Sequence, residues 1–170
     1  MKNKNFISIL IITIFVLISQ NLHADDFYFE APEIQTFNEG NLLKANKGGK
    51  ALTEDNVEII ADKFQYNKIT SLLTAKNNVI IFDPINKTVL KANKVLYLKN
   101  KEIISTVGKT EILIENKYLV KSSNIKYERN SKIISSKEFT TLNDDKENFY
   151  STEGFKYNSL NKLFRGKKIT

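Results

Sequence analysis

A chain of 170 residues with no cysteine has room for one packed core, and it excludes disulfides, thiolate nucleophiles, cysteine-bound zinc and a lipid anchor on an N-terminal cysteine. Its 26 lysines and arginines against 19 aspartates and glutamates give a formal charge of +7, yet the basic residues are scattered through the sequence, which argues against a nucleic-acid partner. Such mild basicity fits either a lysine-biased composition or attraction to acidic, phosphorylated sugars.

The first element has the layout of a cleaved secretory signal over residues 1–24. Lys2 and Lys4 precede an apolar run of 13 residues from Phe6 to Ile18, then a polar stretch and the small residue Ala24. A membrane-spanning helix needs about 20 apolar residues, so export with cleavage near Ala24 is the expectation. The mature chain would then carry 24 basic residues against 19 acidic, or +5, and would lose His23, its only histidine. That removes the commonest general base and metal ligand.

Residues 25–170 form the expected folded domain, and they repeat. Tyr66, Tyr97, Tyr127 and Tyr157 are separated by 31, 30 and 30 residues. Each closes the same pattern of an apolar, a small, a second apolar residue and tyrosine: Ile59, Ala61, Phe64, Tyr66; Leu90, Ala92, Val95, Tyr97; Val120, Ser122, Ile125, Tyr127; and Tyr150, Thr152, Phe155, Tyr157. A degenerate copy, Phe29, Ala31, Ile34 and Thr36, precedes them. Beyond each of these positions comes an apolar pair, as in Leu72-Leu73 or Ile133-Ile134, and then a small residue: Ala45, Ala75, Thr106, Ser136 or Gly166. A period near thirty sets the architecture before any residue-level detail.

Apolar positions two apart, rich in β-branched and aromatic residues, predict strands. The polar segments Asn67-Lys68, Lys99-Asn100-Lys101, Arg129-Asn130-Ser131 and Asn158-Ser159 predict hairpin turns, Asp83-Pro84 with Asn86 predicts a turn between units, and Gly48-Gly49 predicts another. From each small residue to the next apolar one the gap is three, as in Ala61 to Phe64. An odd gap in a period-two pattern requires a bulge or bend if both halves face one interior. Recurring in every unit, it predicts a crease across the whole sheet. The expected fold is all-β, about five two-strand units stacked on one core; the pattern alone leaves jellyroll, β-solenoid and sandwich open.

The segment from Ile60 to Tyr66, followed by Leu73 to Val79, in an exported chain of ~30-residue β units, resembles the OstA-like domain of the periplasmic lipopolysaccharide-transport (Lpt) proteins. The resemblance covers roughly residues 27–170. It implies a twisted, V-shaped β-jellyroll that takes lipopolysaccharide acyl chains in its interior and joins neighbouring Lpt jellyrolls by strand addition, as a periplasmic bridge toward the outer membrane. It equally implies the N-terminal domain, or a fragment, of the outer-membrane translocon. On this reading Phe64, Tyr66, Val95, Tyr97, Ile125, Tyr127, Phe155 and Tyr157 line an acyl-chain groove near the crease. Ile59, Leu90 and Val120 continue it, and Ala61, Ala92 and Ser122 leave room.

Groove lining and core filling share one alternation, so the pattern does not separate them. A sheet edge near Phe164, Lys168, Ile169 and Thr170 is the candidate for pairing with a partner or with a second copy. No metal, cofactor or catalytic residue is expected. Asp144-Asp145 and Glu30 with Glu33 are the nearest acidic clusters, they do not recur, and they read as solvated turn or terminal segments rather than a catalytic carboxylate pair. A self-assembling structural β protein without lipid cargo is the competing class.

Overall fold

The computed structural model describes residues 26–170; the expected signal peptide lies outside them. In chain order the strands are β1 (Tyr28–Glu30), β2 (Gln35–Phe37), β3 (Leu42–Ala45), β4 (Gly49–Leu52), β5 (Glu58–Ala61), β6 (Lys63–Asn67), β7 (Leu72–Asp83), β8 (Thr88–Leu98), β9 (Ile103–Thr106), β10 (Lys109–Ile114), β11 (Tyr118–Ser123), β12 (Lys126–Glu128), β13 (Ile133–Asn143), β14 (Phe149–Asn158) and β15 (Leu163–Gly166). Every pairing is antiparallel. The fold is therefore an all-β, jellyroll-like meander, not a parallel solenoid.

The long strands β7, β8 and β14, with β13, each cross from one wing of the sheet to the other, and shorter strands cross as consecutive pairs. The first wing runs β1-β4-β5, the outer half of β7, the first half of β8, β10, β11, and then the parts of β13 and β14 farthest from the β12–β13 turn. The second runs β2-β3-β6, the remaining halves of β7 and β8, β9, β12, the rest of β13 and β14, and β15. Between the wings lies the crease. The ladder registers shift at it, between Lys76 and Val79 in β7 and between Ser136 and Phe139 in β13.

Local backbone chemistry explains the bend. Asn77, Asn78 and Asn124 take left-handed conformations at the crossing, as do Gly108 and Gly154, and asparagine and glycine enter that region at the least steric cost. Asn124 and Gly154 occupy three-residue gaps of the repeat, and Asn77, Asn78 and Gly108 lie where the other strands cross the same line. At Gly154 (φ 74°) an added Cβ would also lie 3.0 Å from the Ser136 carbonyl oxygen.

Packing at the crease accounts for the repeated small residues. In the second wing Ala45 pairs Phe64, Phe64 pairs Ala75, Ala75 pairs Val95 and Val95 pairs Thr106, and Phe155 lies between Ser136 and Gly166. Large and small side chains thus alternate along the fold line. Across it the first wing offers Ala61, Ala92, Thr110, Ser122, Thr140 and Thr152, small or short residues that let the two backbones converge. Gly166 is the tightest point, where a Cβ would meet Thr152 Oγ1 at 2.2 Å.

The expected hairpin turns form at 68–71, 99–102, 129–132 and 159–162, and Asp83-Pro84-Ile85-Asn86 turns through Asn86 N–H donating to Asp83 Oδ1 at 3.0 Å. Ser71, Glu102, Lys132 and Lys162, each five residues past a tyrosine, close these turns in the left-handed region. Three expectations change. Gly48 and Gly49 do not reverse the chain; they carry it over the crease between β3 and β4. Glu30 lies within β1, ion-paired to Lys50 at 3.0 Å. Ile34 of the degenerate copy is exposed, because the chain between β1 and β2 runs outside the core.

Candidate functional site

Two apolar rows face each other across the interior. In the first wing, cross-strand neighbours run Phe29, Ala51, Ile59, Ile81, Leu90, Ile112, Val120, Leu142, Tyr150. In the second, Leu43, Tyr66, Leu73, Tyr97, Ile104, Tyr127, Ile134 and Tyr157 alternate aliphatic with aromatic, and a further aromatic, Phe164, ends the row. The repeat has been converted into these rows: tyrosines from one strand of each hairpin interleave with the second member of each apolar pair from the other. The first members, Leu72, Ile103 and Ile133, point to the opposite, outer face, since adjacent strand residues cannot share a face.

All the sequence-predicted groove residues come together between the wings. Phe64, Val95, Ile125 and Phe155 sit beside the crease, the four tyrosines stand farther toward the tips of the second wing, and Ile59, Leu90 and Val120 oppose them. They pack against one another in one core. Ile59, Tyr97 and Val120 are 0 % exposed, and only Ala92 of the set is half-buried.

The two ends of the interior differ. At the start of the sheet Phe27 lies edge-on against Tyr66 and Tyr97 with ring centroids 5.1 and 5.5 Å away, and Phe29 packs edge-on against Phe64 at 6.0 Å. These rings stopper that end. At the other end a cleft of about 250 Å³ opens between the wings, lined by Tyr118, Leu142, Tyr150, Tyr157, Phe164 and Ile169, with Asp144 and Lys162 at its rim. Of the expected partner-edge residues, Phe164 stacks on Phe155 at 5.6 Å and Lys168 pairs with Glu153 at 2.8 Å. Ile169 lines the cleft, and Thr170 exchanges two backbone hydrogen bonds with Ser151. Among the described residues β15 pairs with β14 alone.

Along the mouth, where the tips of the wings meet, the apolar interior ends in a polar layer. Tyr127 OH donates to Asp83 Oδ2 at 2.9 Å and Tyr157 OH to Glu115 Oε1 at 3.1 Å, in both cases from the second wing to the first. Arg129, in the β12–β13 turn, reaches the same way: its Nε donates to Asp83 at 2.7 Å and its Nη2 to Asp55 at 2.6 Å. Its Nη1 donates to Tyr97 OH at 2.9 Å and contacts Glu102, which also accepts from Tyr97 OH at 2.6 Å and from Lys99. The side chains of Arg129 and Asp83 are 5 % and 1 % exposed.

The electrostatics follow from that burial. Desolvation would raise the Asp83 carboxyl, but hydrogen bonds from Arg129 and Asn86 outweigh it and hold it below the usual carboxylate range; Asp55 is lowered by Thr53 and Arg129 against the same opposing burial. Burial pushes the phenols of Tyr97 and Tyr127 up, and Glu102 and Asp83 beside them add to the shift. The Arg129 guanidinium would be lowered by burial, yet its carboxylates hold it above its ordinary value.

No protein-family model and no curated protein matches the chain. Sequence reading missed Arg129, Asp83, Asp55 and Glu102 as a group because they come from different units and from different positions of the repeat. The one available signal was composition: 24 of the 26 basic residues are lysine, and Arg129 stands where the preceding units carry Lys68 and Lys99. Arginine presents five N–H donors in a fixed fork, which lets one side chain reach Asp83, Asp55, Glu102 and Tyr97 together.

Proposed function

We propose that this chain is an exported, OstA-like lipopolysaccharide-transport module without catalytic activity. It takes acyl chains between its two wings and hands them along the periplasm to neighbouring jellyrolls joined at its edge strands. The observation carrying this reading is the apolar cleft beside β14 and β15, which continues both inner rows to the surface. A lipid crossing water exposes acyl chains at about 0.8 kcal/mol per methylene, close to 10 kcal/mol for about a dozen. Burial between the rows offsets that cost without a deep, specific pocket. A stand-alone bridge and the periplasmic domain of a translocon would use the same interior and the same edges.

The test is photocrosslinking in the full chain with a photoreactive phenylalanine at Tyr150, in the cleft, or at Phe139, which is 66 % exposed on the outer surface. Lipopolysaccharide should label position 150 and spare 139. Absent labelling, or equal labelling at both, rejects the proposal. A self-assembling β protein without cargo is the second reading, favoured by β1, β2 and β15, which among the described residues each pair with one strand. It expects concentration-dependent assembly and no lipid adduct.

A further inference from the structure

We infer that the slit between the two wings is a latched opening, and that Arg129 is its latch. The ligand in this inference rests on the reading above; the motion does not, and it is tested without lipid.

A cleft of about 250 Å³ falls slightly below the roughly 300–1,000 Å³ of ordinary small-molecule pockets. As it stands the cleft is confined to the β14–β15 end, and the rest of both rows is buried. For an acyl chain to lie along the rows beyond that end, the wings must part along their length. Their crease is continuous backbone, so the tips are where they separate.

At those tips the bonds across the slit are few and unequal. Near the open cleft the crossing among the described residues is one phenol hydrogen bond, Tyr157 to Glu115, one long ion pair, Lys162 to Glu115 at 3.8 Å, and the ring contact of Tyr118 with Tyr157 at 5.8 Å. Over the middle strands the interior is fully packed, and there Arg129 holds two carboxylates of the opposite wing, Asp55 and Asp83, while Tyr127 reinforces Asp83. The strong crossing coincides with the closed stretch and the weak one with the open end.

The cluster is built asymmetrically. Asp83 is sealed, whereas Asp55 is 35 % exposed and sits in the β4–β5 turn. Water reaches the Asp55 pair first, so release proceeds from Asp55 inward to Asp83. Glu102 and Lys99 lie on Arg129's own wing and keep the guanidinium partnered when the cross-slit pairs break. An open state therefore leaves no bare buried charge on the second wing. That is the difference between a latch and a simple staple.

The experiment uses the full chain, whose lack of cysteine lets two introduced ones be labelled uniquely. Spin labels at Glu54→Cys and Asn130→Cys, exposed tips of opposite wings beside the cluster, report the separation by pulsed dipolar spectroscopy, and Nile red reports access to the interior. Three variants are compared with the parent: Asp55→Asn, Arg129→Met, and the charge-free pair Asp83→Asn with Arg129→Met. The expected result is a longer, broader distance distribution and a several-fold rise in dye binding in the two Arg129→Met variants, a smaller change in Asp55→Asn, and unchanged strand content by circular dichroism. Parental distances and dye binding in folded variants would make the cluster a static staple. Loss of strand content in all three would make it a folding requirement. Either overturns the inference, whatever lipid crosslinking gives.

Discussion

Replacing Arg129 with methionine keeps most of the side-chain volume but leaves the Asp83 carboxylate, 1 % exposed, without its cation. Breaking a buried pair by removing one partner costs about 3–5 kcal/mol. Asp83 keeps its bonds from Tyr127 and from the Asn86 backbone and side chain, so the expected cost lies near the lower end, about 3 kcal/mol. Asp83→Asn alone leaves Arg129 with Asp55 and Glu102 and loses hydrogen bonds to a charged group, about 2 kcal/mol. The double variant contains no charge in the sealed position, so it should cost no more than Arg129→Met alone. Independent effects would sum to about 5 kcal/mol, so the coupling is about 2 kcal/mol. Urea unfolding at neutral pH, followed by far-ultraviolet circular dichroism because the chain has no tryptophan, measures all four corners of the cycle. An Arg129→Met cost below about 1 kcal/mol, or a double variant equal to the sum, would refute the picture of a buried, mutually dependent cluster.

The same cluster fixes the response to pH. Asp83 and Asp55 titrate below the usual range in the folded chain, so their stabilisation is complete above the ordinary carboxylate range and is lost as pH falls through their lowered values; Tyr97 and Tyr127 are raised, so stability is also lost at alkaline pH, above about 10. Urea midpoints measured from pH 2 to 11 should fall at both ends, and Arg129→Met, which removes the cation holding Asp83 and Asp55 low, should shrink the loss on the acid side; an unchanged acid-side loss would assign it to other carboxylates. Leu90→Ala, in the middle of the packed row, should cost about 3–5 kcal/mol, whereas Leu142→Ala, whose void joins the open cleft, should cost about 2–3 kcal/mol. Equal costs in urea melts would mean that the cleft is closed in solution.

The creased meander was legible because each of its parts has a local cause. The two-residue alternation marks which strand positions share a face, and the three-residue gap at Ala61 to Phe64 or Ser122 to Ile125 marks where the face must be recovered by a bend. The filled state of the interior was not legible, since a tyrosine that lines a trough and one that fills a core occupy the same strand position. Nor was the latch. Arg129 meets Asp83 across 46 residues and Asp55 across 74, and neither separation is a multiple of the repeat. Gly48 and Gly49 misled for a simpler reason: left-handed backbone serves a bend within a strand path as readily as a reversal, and composition does not distinguish the two.

The stopper of Phe27 and Phe29 gives the molecule a polarity that its repeats lack. The short strand carrying Phe29 is held to β4 by a three-residue ladder, and the opposite end presents an aromatic-rimmed hollow. Copies added end to end would form an arrow rather than a symmetric rod, every hollow facing the next copy's plug. Cargo could advance along such a row only where a plug swings aside, and each junction would then act as a valve.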